Sequence, residues 1–174
     1  MVHDPPVESL RTSTDWRHVT PDLLAAIRAQ YRLEWQGVHG IRHWERVREN
    51  GRRLASSTGA DPAVVEFFAA LHDSRRFNDY RDPQHGARAA DLIRELDPSL
   101  IPLTAEQLDV LAEACRTHTS GTKTDNATIG TCWDADRLDL LRVGTRPDPR
   151  YLVTEAARDP EVISWAMDAS LSSW

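Results

Sequence analysis

Long apolar runs are missing from this chain of 174 residues, and cysteine is scarce, with only Cys115 and Cys132. No stretch is long and apolar enough to cross a bilayer, and residues 1–20 contain no apolar signal core, which predicts a cytoplasmic protein without a membrane partner. Both cysteines fall inside apolar helical patterns, so we expect buried free thiols in a reducing compartment and no disulfide framework.

Two further absences concern lysine and strand-forming patterns. Lys123 is the only lysine among the 21 basic residues, and the formal net charge is −6. This balance argues against a surface that coats a nucleic acid, so no nucleic-acid polymer is expected as a partner. Because runs of β-formers in period-two alternation and internal repeats are also absent, the chain is predicted to be all-α.

What the chain does contain is an ordinary globular composition, 40% hydrophobic and 28% charged, with enough length for one core. We predict an irregular arm over residues 1–19 and a single helical bundle of about seven helices over residues 20–174. The first three expected helices run from Thr20 to Trp35, from Ile41 to Ser57 with Gly59 at the end, and from Asp61 to the His72-Asp73 pair. A fourth helix is capped by Asp82-Pro83, and a fifth starts at a capping box of Thr104 and Gln107. The last two run from Thr128 to Val143, where Gly144 stops the helix, and from Asp159 to near Trp174.

The third helix is the element around which the other helices are predicted to pack. Val64, Phe67 and Leu71 belong to an apolar run that would surround most of a helix, and this run ends in His72 and Asp73. A charge at the end of a buried helix needs strong compensation, and imidazole and carboxylate groups are common metal ligands.

Residues of metal-ligand type also lie on the apolar stripes of other predicted helices. Together with the pair, the candidates are His43, His72, Asp73, His85, His118 and one of Asp134 or Asp136. Imidazoles with carboxylates suit Mn²⁺, Fe²⁺, Co²⁺, Ni²⁺ or Zn²⁺, and Mg²⁺ is a further option. Each residue alone also has an ordinary explanation, as a core histidine, a helix cap or a solvated helix acid. The set as a whole favours a metal site.

Three motifs follow one another in the order His, His-Asp, Asp. They are His43-Trp-Glu-Arg-Val47, Leu71-His72-Asp73 and Asp134-Ala-Asp-Arg-Leu138. In this order the chain resembles the HD-domain metal-dependent phosphohydrolases over about residues 39–144. The resemblance implies a helical bundle that hydrolyses phosphate esters, often of nucleotides, with metal ligands His43, His72, Asp73 and Asp136.

The chain departs from parts of this family at the residues that follow the His-Asp pair. It lacks the glycine-lysine that cyclic-dinucleotide phosphodiesterases of the family carry there. It also has Arg76 where some nucleotidase relatives have an acidic residue. The general acid or base is therefore not identified.

A metal-dependent phosphohydrolase is the predicted function, acting on a small phosphorylated molecule by attack of a metal-activated water. The predicted catalytic residues are Asp73, His118 and Arg76, and the predicted substrate-binding residues are Arg75, Arg76, His85, Lys123 and Arg137. The basic residues among them could equally be surface charges in ion pairs.

Two alternatives stay open at this point. His85 and His118 could hold a second metal, as the extra histidines do in dinuclear-iron oxygenases related to this fold. A module that keeps the metal pocket and binds a ligand without turnover is the other alternative. The oligomeric state is not predicted.

Overall fold

The computed structural model describes residues 15–172, which form eight α-helices, three short 3₁₀ segments and no strand. The helices are α1 (Pro21–Gln30), α2 (Ile41–Thr58), α3 (Pro62–Leu71), α4 (His85–Glu95), α5 (Ala105–Thr117), α6 (Ala127–Arg137), α7 (Glu155–Arg158) and α8 (Pro160–Ser172). The prediction of an all-α bundle with about seven helices is confirmed. None of the helices in the described part combines the length and the apolar character needed to span a membrane.

Several helices begin and end at the residues that the sequence marks. The side chains of Thr20, Asp61 and Thr104 accept hydrogen bonds from the backbone of the first turns of α1, α3 and α5. Thr104 and Gln107 form the predicted capping box. Gly59 ends α2 with φ 73°, a left-handed conformation that glycine adopts without the strain of a β-carbon.

Other helix boundaries differ from the prediction. The first helix ends at Gln30 and does not reach Trp35, because Tyr31 turns to extended backbone and its ring packs edge-on against Trp35 and Trp44. The fourth helix begins at His85, two residues after Pro83.

The sixth helix is also shorter than predicted. It ends at Arg137, and a separate 3₁₀ segment, Leu140–Val143, leads to Gly144. The reason is Asp139, which has left the helical conformation while its carboxylate bonds to α2. The short helix α7 was not expected from the sequence; Thr154 caps its start and Pro160 begins the next helix.

Helix α3 lies at the centre, with every residue from Val64 to Leu71 buried. Gly51 of α2 faces α3 and α6 so closely that a β-carbon there would collide with the side chain of Val65. Gly86 of α4 likewise lies against the backbone of α5 at Cys115. As a result of these packings, the starts of α2 and α4 and the ends of α3, α5 and α6 meet at one end of the bundle.

The beginning of the described chain is attached to α3 through one buried acid. The backbone N–H groups of Arg17, His18 and Val19 all donate to Oε1 of Glu66, at 2.6, 2.7 and 3.2 Å. Trp16 packs partly buried against the core, with the guanidinium of Arg48 4.7 Å from its ring centroid. The remainder of the predicted arm, residues 1–14, lies outside the described residues.

Candidate metal centre

The ligand-type residues come from the helix ends that meet at one end of the bundle. His43 lies in the first turn of α2 and His85 opens α4, while His72 and His118 are the residues directly after α3 and α5. Asp73 follows α3, and Asp136 lies in the last turn of α6. All four imidazoles and Asp73 are buried, with at most 2% of each residue exposed.

One group of possible ligands consists of His43, His72, Asp73 and Asp136. The Nε2 atoms of His43 and His72 are 3.0 Å apart. Oδ2 of Asp73 lies 3.7 Å and 3.8 Å from these two nitrogens. Oδ1 of Asp136 lies 3.2 Å from Nε2 of His43 and 3.6 Å from Nε2 of His72. Both carboxylates thus lie within 3.8 Å of the two imidazole nitrogens.

A second group adjoins the first and shares Asp73 with it. Nε2 of His85 lies 2.8 Å from Nε2 of His118. The other carboxylate oxygen of Asp73, Oδ1, is 3.0 Å from His85 Nε2 and 3.7 Å from His118 Nε2. Asp73 therefore directs one oxygen at each pair of histidines, and each group could hold a metal ion.

The hydrogen bonds of the Nδ1 atoms fix which nitrogen of each ring carries its proton. Nδ1 of His43 faces the carboxylate of Asp139 at 2.7 Å. Nδ1 of His72, His85 and His118 faces the carbonyl oxygens of Phe68, Asp82 and Cys115, at 3.1, 2.5 and 2.7 Å. Because carbonyl and carboxylate oxygens only accept, each Nδ1 must be the donor.

It follows that, in the neutral rings, all four Nε2 atoms present lone pairs to the centre. Two lone pairs at 2.8–3.0 Å repel each other unless a cation or a proton lies between them. Oδ1 of Asp136 is buried and has no hydrogen-bond donor. Neutral imidazoles and carboxylates in this arrangement fit a divalent metal ion, for which these atoms are the preferred ligands.

The two carboxylates remain ionised in spite of their surroundings. Burial raises the pKa of Asp73, but interactions with the neighbouring imidazoles, that of His72 first, hold it well below its usual range. Burial likewise opposes ionisation of Asp136, and interactions with His43 and His72 hold its pKa well below the usual range.

His39 and Arg76 complete the surroundings of Asp73. Nδ1 of His39 is 3.0 Å from Asp73 Oδ2, and its Nε2 is 3.2 Å from the carbonyl oxygen of Asp79. The carbonyl of His39 accepts from the hydroxyl of Tyr31 and the indole of Trp44, which fixes the loop before α2. Sequence reasoning missed His39 because it precedes Gly40 and belongs to no helical stripe.

Asp139 and Arg142 were also missed, and both lie beside the first group. Asp139 contacts His43 as described above, and Nη2 of Arg142 lies 3.8 Å from Oδ1 of Asp136. The available signal was the spacing: Asp139 follows Asp136 by three residues and would share its face if the helix continued.

The structure separates the two aspartates of the Asp134-Ala-Asp136 motif. Asp136 faces the histidines, whereas the carboxylate of Asp134 accepts hydrogen bonds from the backbone N–H groups of Val153 and Thr154. Asp134 thus attaches the segment before α7 to α6 and lies away from the centre.

Of the basic residues predicted to bind substrate, the structure brings only Arg76 to the centre. Arg75 pairs with Glu95 at 2.5 Å. Arg137 donates to the carbonyl oxygens of His118, Gly121 and Tyr151, so its guanidinium supports loops. Lys123 is exposed in the loop before α6. Arg75 and Arg137 thus have their partners away from the centre, and Lys123 faces solvent.

Comparisons of the chain with family models, with curated proteins and with solved structures find no match. The function therefore has to be inferred from the geometry of the centre and from the sequence motifs.

Proposed function

We propose that this chain is a metal-dependent phosphohydrolase of the HD-domain type, with a centre for two divalent ions that share Asp73. The observation that carries the proposal is that two buried groups of two histidines each share Asp73, and that Oδ1 of Asp136, beside the first group, has no hydrogen-bond donor. Two-metal centres with a shared carboxylate are a common solution for hydrolysing phosphate esters.

Under this proposal, His43, His72, Asp73 and Asp136 hold one ion, and Asp73, His85 and His118 hold the other. Bound divalent ions supply Lewis acidity toward phosphoryl oxygens and lower the pKa of a coordinated water. The metal is a divalent transition ion such as Mn²⁺, Fe²⁺, Co²⁺, Ni²⁺ or Zn²⁺, because the ligands are nitrogen and oxygen atoms.

Two arginines are suited to hold the phosphate group of a small substrate. Nε and Nη2 of Arg76 donate to the carbonyl oxygens of Asn78 and Tyr80, while Nη1 lies 3.5 Å from Oδ1 of Asp73. Arg142 is anchored in the same way to the carbonyls of Val38 and Asp139, while Nη2 is directed at Asp136. An anchored guanidinium has already lost its side-chain freedom, so it binds an anion at a lower entropic cost.

A dinuclear-iron oxygenase is the second candidate, because His85 and His118 give the second ion a histidine-rich surrounding next to the shared Asp73. The two candidates differ in their need for dioxygen. Hydrolysis consumes only water, whereas an oxygenase stops without dioxygen.

The experiment is a phosphate-release screen over nucleotides and sugar phosphates, carried out anaerobically with Mn²⁺ or Co²⁺. The proposal expects turnover by the wild type, loss of turnover in His72→Ala with helical content retained, and no loss in His18→Ala, which alters an exposed histidine. Metal-loaded wild type that releases no phosphate from either class of ester contradicts the proposal. Turnover that strictly requires dioxygen selects the oxygenase.

A further inference from the structure

Asp139 is a buried acid whose two carboxylate oxygens both have partners. Oδ2 accepts from Nδ1 of His43 at 2.7 Å, and Oδ1 accepts from Nε of Arg46 at 2.7 Å. The hydroxyl of Ser170, in α8, also donates to Oδ1. Asp139 is 0% exposed and has no atom left for a substrate, so its action has to pass through His43.

His43 differs in this respect from the other three histidines of the centre. Their Nδ1 atoms donate to neutral backbone carbonyls, whereas the Nδ1 atom of His43 donates to a charged carboxylate. A carboxylate partner withdraws the Nδ1 proton more strongly, which increases the electron density at Nε2 and strengthens its bond to a metal.

We infer that Asp139 is a positioning residue that fixes His43 with its proton on Nδ1 and makes the His43 position the tighter of the two metal positions. The inference deepens the proposed metal centre, on which it rests, and does not depend on which reaction the centre catalyses. Arg46 and Ser170 hold the carboxylate in place and connect it to α2 and α8.

The variant Asp139→Asn tests this role because its amide has only one oxygen. Arg46 and Ser170 both donate to the Oδ1 position, so the amide oxygen is expected to turn toward them. The amide NH₂ then faces Nδ1 of His43 and favours the ring with its proton on Nε2. In that tautomer the nitrogen directed at the centre has no lone pair for a metal.

The first readout is the tautomer of His43 in the metal-free protein, measured by ¹⁵N NMR at pH 8, with the signal assigned by its loss in His43→Gln. The wild type is expected to carry the proton on Nδ1 and Asp139→Asn on Nε2. If the wild-type ring carries its proton on Nε2, the inference is overturned. This result needs only the wild type and so does not depend on whether Asp139→Asn folds. This readout is independent of any metal or substrate, so it separates failure of the inference from failure of the proposed function.

The second readout is Co²⁺ affinity, measured by competition with a chelator and by the visible absorption of the bound ion. Asp139→Asn is expected to weaken the tighter site roughly 10–100-fold, the usual effect of removing a partner behind a metal ligand. Asp134→Asn is the matched control, since Asp134 is equally buried on the same part of the chain but bonds to Thr154. Equal Co²⁺ affinity in wild type and Asp139→Asn, or an equal loss in both variants, overturns the inference.

Discussion

The chemistry of each histidine in the centre follows from the partner of its Nδ1 atom. Carbonyl or carboxylate oxygens accept these four protons, which leaves the Nε2 lone pairs for the metal ions that we propose. The residue types could be predicted from the sequence, since His43, His72 and Asp73 stand in a recognisable order. The hydrogen-bond partners of the Nδ1 atoms could not be predicted from the sequence, because Asp139 and the carbonyl oxygens reach the rings only through the tertiary structure.

The pKa of His43 leads to a prediction about stability in acid. Burial and the nearby charge of Arg142 lower this pKa below the ordinary value of about 6.5. Between pH 6.5 and 5 the unfolded chain therefore takes up a proton at this residue that the folded chain does not, so the free energy of unfolding falls as the pH falls. Carboxylates with lowered pKa contribute only at lower pH.

The measurement is urea denaturation of the metal-free protein from pH 7.5 to 5. We expect the midpoint to decrease below about pH 6.5 in the wild type and to depend less on pH in His43→Gln. A midpoint in the wild type that is constant or rises toward pH 5 would be the opposite result.

At the scale of helices, local signals predicted where several begin, because caps such as Thr104 and Asp61 act on their own first turn. They failed where tertiary contacts decide the boundary. Tyr31 ends α1 to join an aromatic cluster, and Asp139 interrupts α6 to bond with α2. The sequence also did not reveal that Gly86 permits the close contact of α4 with α5.

Gly86 is predicted to be essential for the second group of ligands. A β-carbon in Gly86→Ala would collide with the backbone oxygen of Cys115, which accepts the Nδ1 proton of His118. The start of α4 must then shift and carry His85 away from His118. We expect a loss of about 1–3 kcal/mol in the free energy of unfolding, as for other overpacked sites, and loss of one of two bound ions.

Calorimetry and metal analysis together check this prediction. Asp91→Ala, an exposed change on the same helix, serves as the control and should alter neither quantity. A Gly86→Ala protein with both ions and wild-type stability would show that the contact between α4 and α5 is not required.

At the scale of the whole molecule, the candidate metal centre and the attachment of residues 17–19 lie on different parts of α3. The centre follows the end of the helix, whereas Glu66 in its middle binds the segment 17–19. The sequence predicted a single helical domain from its apolar stripes. It could not predict that one buried acid on the central helix would accept three backbone donors.

We predict that Glu66→Ala lowers stability without affecting metal binding. The change removes the acceptor of three N–H groups, of which that of Val19 is buried, and should cost roughly 1–3 kcal/mol. Hydrogen exchange at residues 17–19 should become faster, and the metal content should stay as in the wild type. Glu113→Ala, at an exposed acid of α5, is the control; loss of metal in Glu66→Ala alone would contradict the separation of the two sites.

The central claim is that one shared carboxylate, Asp73, holds a centre for two ions, and the metal content of purified protein tests it most directly. The wild type, purified without chelator and supplied with Mn²⁺ or Co²⁺, should bind about two ions per chain, one for each ligand group. Asp73→Asn keeps the size of the side chain but removes its charge, so it should bind close to none. A wild type without bound metal, or an Asp73→Asn protein that keeps both ions, would contradict the account.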